Sequence, residues 1–316
     1  MKKNIFDLIE SYYLIQFIRY LNAQQFFKEG KREIDYDRSN LPVWNMLRFI
    51  YDRTDLLINR KGTYLLAKKY THYTAFAFHI DKLLESYGHF DFKHPSHILK
   101  LDKLQFARAK EKTFPYYDYA FLMSVLDQLN SKTILDLGCS MGGLLVKFCK
   151  SRKTRKGFGI DNNINLFRKG SAMFAAAGFG NRAKLIYGNA LKMDTLLSEK
   201  MKGSVDTVVA NNFLNEFFAE GNKLITGVLA KIKKAFPGKI LVVMDYYGVF
   251  GTSRKNDPHL QHNYLHDIIQ IFSGQGTPPE NYKAWNRYYK KTGCRLVQVY
   301  EGKNSGFNWF LHVVQL

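Results

Sequence analysis

From Ile5 to Lys28 apolar residues recur every three or four positions (Ile5, Leu8, Ile9, Tyr12, Tyr13, Phe17, Tyr20, Leu21), and that period predicts an amphipathic helix. A second helical stretch runs from Val43 to Asp52. Two short apolar runs follow within Asp55–Ala67, separated by the polar Asn59–Gly62, which is the pattern of a β-hairpin. From Phe121 onward the period changes. Short apolar runs at Thr133–Leu137, Gly157–Ile160, Ala183–Tyr187, Val205–Ala210 and Lys239–Met244 alternate with segments long enough to be helices. Such an alternation implies crossover connections and a parallel sheet covered on both faces. Two further runs, Arg295–Tyr300 and Trp309–Leu316, have only Glu301–Asn308 between them. That link is too short for a crossover helix, so the pair is expected to be antiparallel. The pattern therefore divides into a mainly helical first domain, 1–115, and an α/β domain, 116–316, with no internal repeat and no low-complexity linker.

Composition narrows this picture without redirecting it. The apolar share of 46% is ample for a packed core. No segment approaches the roughly 18–20 uninterrupted apolar residues of a membrane span. The start, MKKNIFDLIESYY, lacks the apolar stretch and small-residue cleavage site of a secretion signal, so a cytoplasmic location without membrane partners is expected. Cys139, Cys149 and Cys294 cannot all pair and show no C-x-x-C spacing, so they read as reduced thiols. The formal net charge of +20 would suit nucleic acid, but it is scattered along the chain. The one dense run, Lys150–Lys156, reads as a solvated turn, and no basic and aromatic interleaving of an RNA-binding module accompanies it.

Candidate chemistry begins at ILDLGCSMGGLL, Ile134–Leu145. Gly138, Gly142 and Gly143 directly follow a predicted strand, where the backbone of a βαβ unit must let a ligand approach closely. The next predicted strand leads to Asp161, about 20 residues on, where a carboxylate would meet ribose hydroxyls. The loop is not the G-x-G-x-x-G of pyrophosphate binders, because Ser140 stands at its second glycine. By itself the glycine cluster is equally a tight strand-to-helix turn.

DLGCSMGG, GID ending at Asp161, YGNA at Tyr187–Ala190 and VANNFLNEF at Val209–Phe217 together resemble the class I S-adenosylmethionine-dependent methyltransferases, over Phe121 to the C-terminus. The resemblance implies a Rossmann-like seven-stranded sheet ending in an antiparallel hairpin. It also implies S-adenosylmethionine as cofactor. Asp136, Gly138, Ser140 and Gly142 would then surround its methionine part, and Asp161 with Asn162 its ribose. Asn189 and Ala190 would border the adenine, and Asn211 and Asn212 would face the transferred methyl. Two helices and a hairpin ahead of such a domain resemble the winged-helix module that many small-molecule methyltransferases use to dimerise and to cover the substrate pocket, so a homodimer is expected. An unrelated helical cap reads equally well from the pattern.

Between the fifth strand and the terminal pair lie His259, His262, His266 and Asp267, followed by SGQGTPP at Ser273–Pro279, and the last strand adds His312. Imidazole and carboxylate suit a divalent metal of the zinc or iron type. Two arrangements compete: His262 with His266 on one helical face, or His266 and Asp267 with the remote His312. The stretch from Asn263 to Val297 followed by WFLHVVQL resembles the 2-oxo acid C-methyltransferases, which include the 2-ketoarginine and phenylpyruvate enzymes. That resemblance implies His266, Asp267 and His312 as metal ligands and catalytic residues. It also implies a small anionic 2-oxo acid as substrate, methylated at C3 through a metal-stabilised enolate in specialised amino-acid or peptide biosynthesis. The alternative is a metal-independent O-methyltransferase of small molecules, with His262 or His266 as general base. A third reading, an RNA methyltransferase or RNA-binding relative, rests on charge alone. SGQGTPP by itself reads as a turn that stops a helix.

Overall fold

The structure, a computed structural model, describes residues 5–24, 26, 31–37, 39–68, 89–90, 99–100, 119–219, 222–250, 252–253, 260–272, 274–304 and 307–316. The chain divides into two units, Met1–Gly88 with Asp102–Tyr117 and His89–Leu101 with Asp118–Leu316.

The first unit contains α1 (Ile5–Ala23), α2 (Leu41–Arg53) and an antiparallel hairpin of β1 (Leu57–Arg60) and β2 (Thr63–Leu66). One face of α1, with Leu14, Phe17, Ile18 and Leu21, packs on Val43, Leu47 and Ile50 of α2 and on Leu57, Tyr64 and Leu66 of the hairpin. These are the three- and four-residue intervals that place side chains on one side of a helix. The described helix ends at Ala23, short of the Lys28 that the apolar period suggests. At α2 the Asn40 side chain accepts a hydrogen bond from the Val43 N–H, and Pro42 falls in the first turn, where its missing N–H has no helical partner to lose. The hairpin turn is tighter than Asn59–Gly62, because both strands run up to Lys61 and Gly62, whose φ values are 49° and 78°. Positive φ at both central residues is the geometry that matches strand twist in a two-residue turn. Asn59 Oδ1 accepts the Gly62 N–H at 2.9 Å and closes it.

The second unit carries a short antiparallel pair, β3 (His89–Phe90) and β4 (Leu99–Lys100), and a seven-stranded sheet. Its elements in chain order are α3 (Ala120–Gln128), β5 (Thr133–Leu137), α4 (Gly143–Ser151), β6 (Lys156–Asp161), α5 (Ile164–Ala176), β7 (Ala183–Tyr187), α6 (Met193–Leu196), α7 (Glu199–Ser204), β8 (Thr207–Asn211), α8 (Asn222–Ala235), β9 (Ile240–Tyr246), α9 (Gln261–Phe272), α10 (Tyr282–Lys291), β10 (Arg295–Asn304) and β11 (Phe307–Gln315). The strand order is β10-β11-β9-β8-β5-β6-β7. β5 to β9 are parallel, whereas β11 runs antiparallel between β9 and β10. This is the seven-stranded Rossmann-like sheet with a terminal antiparallel hairpin, preceded by a helical region with a wing. The hairpin strands are longer than the apolar runs that announce them and carry a bulge between Leu296 and Gln298.

Every residue of β5 is buried, as expected of a strand covered on both faces. α8 turns Ile225, Val228, Leu229 and Ile232 into the core at helical intervals, and α10 contributes Trp285 and Tyr289. The strand order reverses between β5 and β8, so the crevice at their carboxyl ends is where a ligand of such a sheet would lie. The basic run Lys150–Lys156 is exposed except at Arg155, which is 2% exposed. Its guanidinium lies over the Phe148 ring at 4.4 Å, donates to Ser151 Oγ at 2.7 Å and pairs with Asp127. This residue is a core anchor and corrects the reading of a wholly solvated turn. All three cysteines are free and buried. No described helix is long and apolar enough to cross a membrane.

Candidate active site

The loop from β5 to α4 is folded by its own backbone. The Gly138 and Cys139 N–H groups both donate to Ile160 O, at 2.9 and 3.1 Å, and Ser140 N–H donates to Asp161 Oδ2 at 2.8 Å. Gly138, Ser140 and Gly142 all have positive φ (68°, 53° and 80°). A Cβ at Gly138 would sit 2.6 Å from the Phe213 ring and one at Gly142 2.7 Å from the Phe174 ring, so both positions exclude side chains twice over. Ser140 adopts the left-handed conformation without being glycine, at a cost of about 1 kcal/mol. The loop thus has the shape of a three-glycine turn with one glycine replaced.

Asp161, at the end of β6, is held at both oxygens: Oδ2 by Ser140 and Oδ1 by the Asn163 N–H at 2.8 Å. The Gly188 N–H reaches its carbonyl at 3.0 Å and ties in the end of β7. Asp136 lies two residues before Gly138 in β5 and is 4% exposed. Burial, and then the neighbouring Asp161, raise its carboxyl to about 8. Asn162 is exposed beside Asp161, and Ala190 is buried. Asn189 accepts the Leu191 N–H at 2.9 Å and so caps the turn after β7. Asn212, at φ 48°, donates its backbone N–H to Met244 O at 2.8 Å. Its side chain lies 3.5 Å from Asn211 Oδ1. The ten residues proposed for the cofactor therefore gather at the carboxyl ends of four neighbouring parallel strands, β7, β6, β5 and β8.

Next to them lie two residues that the sequence reading passed over, Asn215 and Asp245, both buried at the same end of the sheet. Asp245 accepts the backbone N–H groups of Asn215 (3.1 Å) and Tyr246 (2.9 Å). Asn215 Oδ1 is buried without a hydrogen-bond partner among the described residues. A polar residue closing the apolar run of β9, and a third asparagine in ANNFLN, were the available signals. The SGQGTPP turn also joins this region. Gln275 O accepts the Phe218 N–H at 3.0 Å, and a Cβ at Gly276 would meet the Phe218 backbone at 2.4 Å. It is therefore a close contact with the segment after β8 as well as a helix stop.

His266, Asp267 and His312 do not form a ligand set, and no group of three metal-ligating side chains exists among the described residues. The reason is visible in what each already binds. Asp267 is fully buried and accepts Tyr246 O–H at 2.9 Å, Val249 N–H at 2.6 Å and Phe250 N–H at 2.8 Å. Burial raises its carboxyl while these three donors pull the other way. His312 is also fully buried, stacked on Phe310 at 4.0 Å and edge-on to Trp285 and Tyr289. Tyr247 O–H donates to Glu301 at 2.8 Å, so its oxygen receives His312 Nε2–H at 3.2 Å and leaves Nδ1 to accept Tyr289 O–H at 3.1 Å. Both ring nitrogens are thus taken, and desolvation lowers the imidazole to about 3. The donor set implied for a zinc- or iron-type ion does not fit one. Of the competing arrangement, the His262 side chain lies outside the described residues, as does all of His259.

His266 is different from His312. It is half-buried on α9, edge-on to Tyr246 with ring centroids 4.6 Å apart, and its Nε2 is 3.4 Å from Gln270 Nε2. Asp267, its neighbour, fastens α9 to the end of β9 through the three donors above, which fixes where His266 stands.

No family model matches the chain. Among solved structures the fold is shared with the mitomycin 7-O-methyltransferase MmcR, with a TM-score of 0.65 and 11% identity over 99% of this chain and 97% of that one. It is shared equally with the S-adenosylmethionine-dependent methyltransferase SibL in its apo form, at 0.63 and 12% over 98% of each chain. CalO1, a methyltransferase in calicheamicin biosynthesis solved in an SAH-bound form, matches at 0.60 and 16% over 98% of this chain and 96% of that one.

Proposed function

We propose that this protein is an S-adenosylmethionine-dependent methyltransferase of secondary metabolism that methylates a hydroxyl of a small molecule, with His266 as the general base. The observation that carries the cofactor assignment is the loop Gly138–Gly142 bonded to Asp161 at the reversal point of the sheet. The donor set suits that cofactor: a backbone-held carboxylate for two ribose hydroxyls, a buried carboxyl in the strand before the loop, and a glycine turn that carries Ser140 in place of the second glycine of the pyrophosphate binders. The fold shared with SibL and with SAH-bound CalO1 supports the same reading. Bound there, S-adenosylmethionine supplies an activated methyl on its sulfonium. The residues of the chain orient it, through Asp161 and the loop, and Asn211 and Asn212 border the space where acceptor and methyl meet.

For the acceptor, a hydroxyl needs a base within hydrogen-bond reach. His266 is partly accessible and held in place by Asp267, whereas His312 is sealed in the core. MmcR supports oxygen as the acceptor atom. C3 methylation of a 2-oxo acid rests on three ligands that do not converge, and no metal-ligand group supports it among the described residues. His266→Ala is expected to lower kcat by about 10²–10⁴-fold while cofactor affinity stays within about twofold. Retained turnover would remove His266 from the mechanism.

We also assign the first unit to dimerisation. α1 leaves Ile5, Ile9, Tyr12, Tyr13 and Tyr20 exposed on the side away from its packed face. Such a stripe is more apolar than a lone helix surface needs.

A further inference from the structure

The mechanism above uses Asp136 only as a wall of the cofactor site, yet its surroundings are unusual for a carboxyl. It sits inside β5 between Gly159 of β6 and Val209 of β8, neither of which offers a polar side chain. No hydrogen bond to its carboxyl exists among the described residues, and no lysine, arginine or histidine among them compensates it. The titratable groups that face it are the Asp161 carboxylate from β6, which opposes a second negative charge, and the Cys139 thiol from the loop, which burial keeps neutral and which offers no compensating charge. A buried, unpaired carboxyl beside another carboxylate is stable only when neutral.

We propose that Asp136 carries a proton in the cofactor-free protein and releases it to solvent when the sulfonium cofactor binds, so that this residue senses the charge that separates cofactor from demethylated product. The inference rests on the cofactor reading above. The charge complementary to such a carboxyl is a cation, because an opposite charge within a few ångströms favours the ionised carboxylate. S-adenosylmethionine and its product share the α-ammonium and carboxylate, and they differ by the positive charge on sulfur. With the sulfonium present the Asp136 O–H bond breaks and its proton goes to the buffer. With the neutral thioether the incentive to ionise is smaller, and the proton stays on Asp136 or returns to it after transfer. A carboxyl raised to about 8 by burial and the neighbouring Asp161 agrees with this.

The test is isothermal titration of the intact protein with S-adenosylmethionine and, separately, with S-adenosylhomocysteine, at about pH 6.5 in buffers of different ionisation enthalpy. At that pH the amine and carboxylate of both ligands keep a single charge state. The expected result is release of about one proton per sulfonium cofactor bound, clearly less for the thioether, and none for either ligand with Asp136→Asn. Binding of S-adenosylmethionine with a heat independent of buffer would overturn the proposal and leave the cofactor reading standing. Absence of binding by both ligands would overturn the cofactor reading itself. Carboxyl carbon resonances of labelled aspartate in the cofactor-free wild type give a second readout that needs no variant. One carboxyl should titrate several units above its ordinary range, and a set titrating wholly at acidic pH would also refute the proposal.

Discussion

Single residues in this protein reveal their roles by what they already bind. Gly138 has no room for a side chain and no φ suited to one, so Gly138→Ala is expected to cost about 2 kcal/mol or more and to weaken cofactor binding, measurable by thermal shift with and without S-adenosylhomocysteine. Ser140 is the reverse case: Ser140→Gly relieves a left-handed strain and should raise stability by up to about 1 kcal/mol. His312 is kept neutral by burial, with its folded value far below the ordinary imidazole value of 6.5. Between those two values the unfolded chain binds the extra proton, so this residue contributes a loss of stability as pH falls from about 6.5 towards 3. In His312→Gln that slope should flatten, while the loss of two tyrosine hydrogen bonds lowers stability at neutral pH by about 1–3 kcal/mol. An unchanged acid slope would mean that His312 is charged in the fold.

Elements carry the site through their ends. The β5–α4 loop and the end of β6 were legible in the sequence for a simple reason: glycines directly after an apolar strand, with an acid at a set distance at the end of the next one, have fewer uses together than either has alone. The strands were legible because runs buried on both faces are apolar throughout, and the short link before Trp309 told the direction of the last pair. The histidines were not. In β11 both faces are buried, so nothing in WFLHVVQL tells a ligand from a core imidazole, and the tyrosines that occupy His312 come from β9's end and from α10. Asp267 failed for a related reason, since a carboxylate binding backbone N–H groups is written with the same letter as one binding a metal. Its true task is at the scale of α9. Asp267→Ala should leave the Val249 and Phe250 N–H groups buried and unpaired, costing about 1–3 kcal/mol, and should lower turnover by loosening His266. Turnover at the wild-type level in a folded Asp267→Ala protein would separate the anchor from the base.

At the scale of the molecule there are two units: one with a Rossmann-like sheet that has the glycine loop at its switch point, and a helical one with an exposed apolar stripe on α1. If that stripe joins two copies, Ile9→Asp combined with Tyr12→Asp should shift the protein from dimer to monomer in light scattering, and a wild type already monomeric at micromolar concentration would refute it. The proposed reaction is methyl transfer to oxygen without a metal ligand set. It is tested most directly by incubating the protein with methyl-labelled S-adenosylmethionine and paired panels of phenols, hydroxy acids and 2-oxo acids, with and without a strong chelator, and locating the label in the product. The expected product is O-methylated, in a yield unaffected by chelation. A C3-methylated 2-oxo acid whose formation stops on chelation would contradict it.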